Sequence, residues 1–181
     1  MYADNTLTPK EAIRLCALGT LALGPQNYGA LANAVRHFTG HMLGPSLDLM
    51  GTSIELLKYE GLIEAAQDAG TQDDARIRIT ASGRTELRTL LTANLRSGAA
   101  ELNKLLVALK FRFLHLLDAE DRIAQVDLLI ELCDNELARL DDLRHYHAGD
   151  DGFVVDWLDH EIGQAQSRLV WLGEFRKTRS A

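Results

Sequence analysis

The spacing of apolar residues divides the chain into a series of helices interrupted by one short alternating stretch. Ile13, Cys16, Ala17, Thr20 and Leu21 recur at helical intervals and predict a first helix. Thr8-Pro9-Lys10-Glu11 marks its start: a capping threonine, a proline at the first helical position and a glutamate three residues after the cap. Gly24-Pro25 ends it. Leu31, Val35 and Phe38 share one face of a second helix over 28–38, which Asn27 can cap, and the run Thr39 to Pro45 reads as a turn. A third helix over 46–60, with Ser46 as its cap, turns Ile54 and Leu57 inward and stops at Gly61.

The period then changes. Leu62 to Ala66 reads as a short strand, and 67–75 as a polar loop carrying Asp68, Asp73 and Asp74. Arg76-Ile77-Arg78-Ile79 alternates like a half-buried strand, so the pair makes a hairpin with a long tip. Thr80 can cap a fourth helix ending near Leu95. Beyond Ser97-Gly98 the pattern is helical throughout: Ala99 to Leu117, Ala119 to His147 and Val154 to Arg176.

The expected fold is mainly α. A winged helix-turn-helix with a two-stranded wing occupies residues 1–96, and a helical dimerisation domain occupies residues 97–181. The long second-half helices carry two apolar stripes, more than a three-helix tail buries by itself. A homodimer is therefore expected, with Ile123, Val126, Ile130, Leu137, Trp157, Leu158, Ile162, Leu169, Trp171 and Leu172 at its interface.

Composition narrows the function classes. The 181 residues are 46% hydrophobic, enough for a core, and carry a net charge of −7. The acid excess lies mostly in the second half, which leaves room for a basic patch in the first. Cys16 and Cys133 sit inside apolar patterns and read as buried thiols of a reducing compartment. The start MYADNTLTPKE shows neither the basic nor the apolar segment of a secretion signal. No apolar run approaches the ~18 residues that span a membrane. A cytoplasmic protein without a membrane partner is expected.

No Ser-His-Asp order, Gly-rich phosphate loop or paired catalytic carboxylates stand out, so no enzyme is expected. His37 and His41 are four apart, but a turn is expected at Gly40 between them. Asp156 and His160 are four apart as well. A metal needs three or four converging ligands, so neither metal nor cofactor is expected.

A helix that enters a major groove presents small polar groups near its N-terminal end. Ser46, Thr52 and Ser53 suit that position, and Lys58 follows on the same helix. Arg76 and Arg78 share one face of a hairpin strand and can reach the DNA backbone or the minor groove. Asn27 and Tyr28 begin the second helix, where free N–H groups favour phosphate, and Arg36 adds an exposed charge.

Three stretches resemble the PadR-type transcriptional regulators. LGTLALGP and the following NYGALANAV are similar to that family's first helix, Gly-Pro break and second helix; TSIELLKYEGLIE is similar to its recognition helix; RIRITASGRTEL is similar to its second wing strand and the helix after it. The later stretches LLDAEDRIAQVDLLIELCDNELARL and EIGQAQSRLVWLGEF resemble its helical dimerisation region, so the likeness covers most of residues 10–175. Gly51 and Thr52 stand where the family commonly has Tyr and Pro, and the wing tip here is acidic. The resemblance implies a ligand-responsive repressor, binding double-stranded DNA at a palindromic operator as a homodimer. It also implies a small aromatic effector, with Trp157, Trp171 and Phe175 as the aromatics to line its pocket. The acidic tip keeps an alternative open: a winged-helix protein-interaction module that does not bind DNA. A small-molecule carrier built on the same dimer is a third reading.

Overall fold

The computed structural model describes residues 7–43, 50–66, 75–95 and 100–179; at 43, 50–53, 100, 101 and 179 it describes the backbone alone. The elements run α1 (Pro9–Leu23), β1 (Gln26–Asn27), α2 (Tyr28–Leu43), α3 (Met50–Tyr59), β2 (Ile63–Ala65), β3 (Arg76–Ile79), α4 (Ala81–Thr92), α5 (Ala100–Phe113), α6 (Ala119–Tyr146) and α7 (Val154–Arg179). A 3-10 turn, Leu114–Leu116, follows α5. The molecule is mainly helical, and its described residues include a small antiparallel sheet.

Helix α1 is the centre of the first compact unit, Met1–Leu116. Its start is the capping box read from the sequence: the Glu11 N–H donates to Thr8 Oγ1 at 3.4 Å, and the Thr8 N–H donates to Glu11 Oε2 at 2.6 Å. Its residues from Leu15 to Leu21 are all buried, because α2, α3, α4, α5 and β3 pack around it. Gly19 is the point of closest approach. A Cβ there would stand 2.6 Å from the Phe113 ring, so the glycine lets α5 lie directly on α1. The Arg112 guanidinium lies 4.6 Å from the centre of the Phe38 ring on α2, a cation–π contact. Helix α5 therefore belongs with the first unit. The compact units divide after Leu116, whereas the sequence places the boundary after residue 96.

Both cysteines are free and buried. Burial pushes the Cys16 thiol up to about 11, against the opposing pull of the Arg112 charge. The thiolate is the reactive form, so Cys16 of the folded protein should resist a thiol reagent at pH 8 and react at full rate in denaturant. Rapid native labelling, followed by mass spectrometry, would contradict this burial.

The sheet has three strands in the order β1-β3-β2, one more than the expected two-stranded wing. The extra strand is short: Gln26 pairs with Ile77 and Asn27 with Arg76. It lies where the sequence shows only a Gly-Pro break, and two residues are too few to carry a period. The hairpin itself pairs Ile63 with Ile79, Glu64 with Arg78 and Ala65 with Ile77. Helix α2 also runs five residues beyond its expected end at Phe38, through Gly40 to Leu43. Local bonds support this extension, since Thr39 Oγ1 donates to the Val35 carbonyl at 2.9 Å.

The second unit, Leu117–Ala181, is a hairpin of α6 and α7. Asp118 caps α6 by accepting from the Asp121 N–H at 2.9 Å. Val126, Leu129, Cys133, Leu158, Ile162, Ala165 and Leu172 are buried in it. Ion pairs tie its two helices together: Arg144 with Asp159, Arg168 with Glu136 at 2.8 Å, and Arg176 with Asp127. Among the described residues no helix is long and apolar enough to cross a membrane.

Candidate nucleic-acid interface

Helix α3 is anchored by two side chains one turn apart. Ile54 and Leu57 are buried, and Glu55, Leu56, Lys58 and Tyr59 are left outside, Tyr59 with 90% of its surface exposed. The helix ends in a specific motif. Gly61 takes a positive φ of 72°, the Leu62 N–H donates to the Leu57 carbonyl at 2.9 Å, and the Gly61 N–H donates to the Lys58 carbonyl at 3.1 Å. This is the Schellman termination, and glycine is favoured at its left-handed position. The sequence Glu-Gly-Leu-Ile thereby turns a helix directly into a wing strand.

The next helix is locked to that turn. Thr80 Oγ1 donates to the Gly61 carbonyl at 2.8 Å and accepts from the Gly83 N–H at 3.0 Å, while the Thr80 N–H donates to the Leu62 carbonyl at 3.0 Å. Arg14 of α1 reaches Glu60 at 2.7 Å and Glu86 at 3.2 Å, joining the end of α3 to α4. Among the described residues, these contacts hold α3 from behind its exposed face.

The wing places Arg76 and Arg78 on its exposed face, with Ile77 and Ile79 buried on the other. Both arginines have partners. Arg76 donates to the Pro25 carbonyl at 2.7 Å, and Arg78 donates to Glu64 at 2.9 Å, its cross-strand neighbour. Between α1, the sheet and α4 lies an open cleft of about 380 Å³ lined in part by Pro25, Glu64, Arg78, Thr80 and Arg84. Arg84 is exposed on the first turn of α4. No motif in the sequence singles it out. Its one signal there is a position four residues after a capping threonine.

The remaining expected contacts are scattered. Asn27 is the cap of α2, its Oδ1 accepting from the Ala30 N–H at 2.7 Å. Tyr28 beside it is 43% exposed. Register sets Asn27 opposite Arg76, so the start of α2 and the wing meet through β1. Arg36 is exposed and donates to Asn33 at 3.0 Å within α2. Thr52 and Ser53 lie on the α3 backbone, but their side chains, Ser46 and the acidic tip at 68–74 fall outside what is described. Leu56 and Tyr59, which the sequence reading did not name, stand on the exposed face of α3. Helical spacing from Ile54 and Leu57 was the signal that could have found them.

Of the expected interface residues, Val126, Leu158, Ile162 and Leu172 are closed off within the single chain. Ile123, Ile130, Leu137 and Leu169 are half-buried, and Trp157 and Trp171 are more than half exposed. Trp171 and Phe175 pair with ring centres 5.5 Å apart. A shallow groove along α7 is lined by Asp159, His160, Gly163, Gln164, Ser167 and Arg168, and by none of the three expected aromatics.

Comparison with solved structures finds smu.1604c from Streptococcus mutans UA159, 17% identical over 93% of this chain and 98% of that one, with a TM-score of 0.39. That superposition is too loose to carry an argument. No curated protein matches the chain. A family model matches residues 2–176, nearly the whole chain, and its subject is transcriptional control, though the family named is AphA-like where the sequence resemblance was to PadR-type proteins. The chain belongs to the family described as "Putative AphA-like transcriptional regulator".

Proposed function

We propose that this regulator binds a specific palindromic DNA site as a homodimer, with α3 in the major groove and the β2–β3 wing on the adjacent backbone, and that it acts as a ligand-responsive repressor of the PadR type. One observation carries the reading. An exposed helix, fixed from behind by Ile54, Leu57 and the Arg14 ion pairs, is followed directly by an arginine-bearing hairpin. Lys58 and Tyr59 would meet the DNA from α3, and Arg76, Arg78 and Arg84 would meet phosphates. The existing partners of the wing arginines are small obstacles. An exposed ion pair such as Arg78–Glu64 is worth ~0–1 kcal/mol, and a phosphate can replace it. For the dimer, α7 offers Trp157, Val170 and Trp171, exposed by 54%, 68% and 52%. Large apolar groups exposed at two places along one helix, Trp157 near its start and Val170 with Trp171 nearer its end, favour a partner on that helix.

The pairing of Arg78 with Glu64 also favours a second reading, the protein-interaction module, because an acidic residue within the wing is a poor neighbour for phosphate. Methylation interference tests the first reading, whereas a module that does not bind DNA would yield no bound fraction at all. A methyl group on guanine N7 projects into the major groove and blocks an inserted helix. On the DNA reading, methylation at a few guanines in each half-site abolishes binding. Binding that tolerates every major-groove methyl would remove α3 from the groove.

A further inference from the structure

The continuation of α2 through Gly40 has a chemical result that a turn there would have prevented. His37 and His41 now stand one turn apart on the same helix, both exposed, with ring centres 4.2 Å apart and planes inclined by 33°. We propose that these two histidines chelate a late first-row divalent cation, Cu2+, Ni2+ or Zn2+, on the surface of α2. Histidines four apart on a helix are the spacing with which helices present two imidazoles to one metal.

A second observation shows which nitrogen is ready. His41 Nδ1 lies 2.7 Å from the His37 carbonyl oxygen. A carbonyl only accepts, so Nδ1 carries the proton and Nε2 bears the free lone pair. A ring N–H given to a backbone carbonyl is the arrangement that fixes tautomer and orientation in metal-bound histidines. Two nitrogens on one ion at ~2.0–2.1 Å stand roughly 2.8–3.4 Å apart, from a right angle to a tetrahedral one. Chelation requires the His37 ring to turn about its soft terminal torsion until the Nε2 atoms reach that separation, starting from ring centres 4.2 Å apart. Among the described residues no group of three His, Cys, Asp or Glu gathers to hold a metal. The order of affinity follows the intrinsic series, with Cu2+ above Ni2+ and Zn2+. The site does not depend on the DNA-binding reading.

The test is titration of the full chain with Cu2+, followed by electron paramagnetic resonance, for the wild type and for His37→Asn, His41→Gln and the control His145→Gln. The expected result is a tight equivalent showing two nitrogen donors, weakened at least tenfold in either chelate variant and unchanged in the control. A second measurement needs no variant: Ni2+ should slow diethylpyrocarbonate modification of His37 and His41 but not of His115. A single-nitrogen spectrum, full affinity in either chelate variant, or modification of His37 and His41 unaffected by Ni2+ would overturn the proposal.

Discussion

Replacing Gly83 with alanine lowers the stability of the first unit by ~2 kcal/mol, although helix propensity alone predicts the opposite sign. Gly83 lies in the first turn of α4, and alanine in a helix is favoured over glycine by ~1 kcal/mol. Against that, a Cβ at this position would stand 2.1 Å from the Leu62 carbonyl oxygen and 2.7 Å from Ile79 Cγ1. The nearer atom is backbone and cannot swing away. It also accepts the Thr80 N–H, so any shift loosens the joint between the end of α3 and the start of α4. Overpacking of this kind costs ~1–3 kcal/mol or more, which exceeds the propensity gain. Gly173→Ala provides the contrast, because nothing described lies within 4 Å of its Cβ. That substitution should be neutral or slightly stabilising. Urea midpoints measure both, and a Gly83→Ala protein as stable as the wild type would mean that α4 does not press on Leu62.

The second large effect belongs to Lys110. Its side chain is 1% exposed, and its ammonium donates to the carbonyls of Leu91 and Ala93 at 2.5 and 2.8 Å, closing the C-terminal end of α4 from α5. The last carbonyls of a helix need donors from outside it, and a lysine can provide them. Burial lowers the Lys110 pKa from 10.5 to about 8. The unfolded chain therefore holds more protons than the folded one between pH 8 and 10.5, and stability from this group rises with pH across that window. A shift of this size corresponds to up to ~3 kcal/mol. Cys16 works in the opposite direction above pH 9, since its thiol stays protonated in the fold, so the raw curve of the wild type mixes the two. The difference between wild type and Lys110→Met isolates the lysine. That difference should grow by ~3 kcal/mol in favour of the wild type from below pH 8 to pH 10.5. Parallel curves would show that the amine is not buried as described.

Both residues show where sequence reading ends. The capping box at Thr8, the glycine stop at Gly61, the alternating Arg76-Ile77-Arg78-Ile79 and the Thr80 cap are signals within a few residues of chain, and each appears in the structure. No local pattern marks Lys110, because its partners Leu91 and Ala93 lie 19 and 17 positions earlier. Phe113 meets Gly19 across almost the whole first unit, so nothing local could assign α5 to that unit. Strand β1 is two residues long and exists only because β3 lies beside it. Gly40 was misread for a different reason: its cost in a helix is about 1 kcal/mol, which neighbouring helical bonds outweigh. At the candidate site, α3 and the wing are legible in outline. Leu56, Tyr59 and Arg84 required knowledge of which faces the core covers.

The central claim is that the face of α3 and the wing together hold DNA. The measurement that meets it most directly is fluorescence anisotropy of a labelled duplex from the region upstream of the protein's own gene, against a scrambled duplex, across a salt series. Each phosphate contact releases counterions, so affinity falls with a slope of about −0.9 per contact on logarithmic axes. The upstream duplex should be preferred, with a steep slope that becomes shallower for the Arg76→Ala, Arg78→Ala double variant. Equal, salt-independent and negligible binding to both duplexes would contradict it.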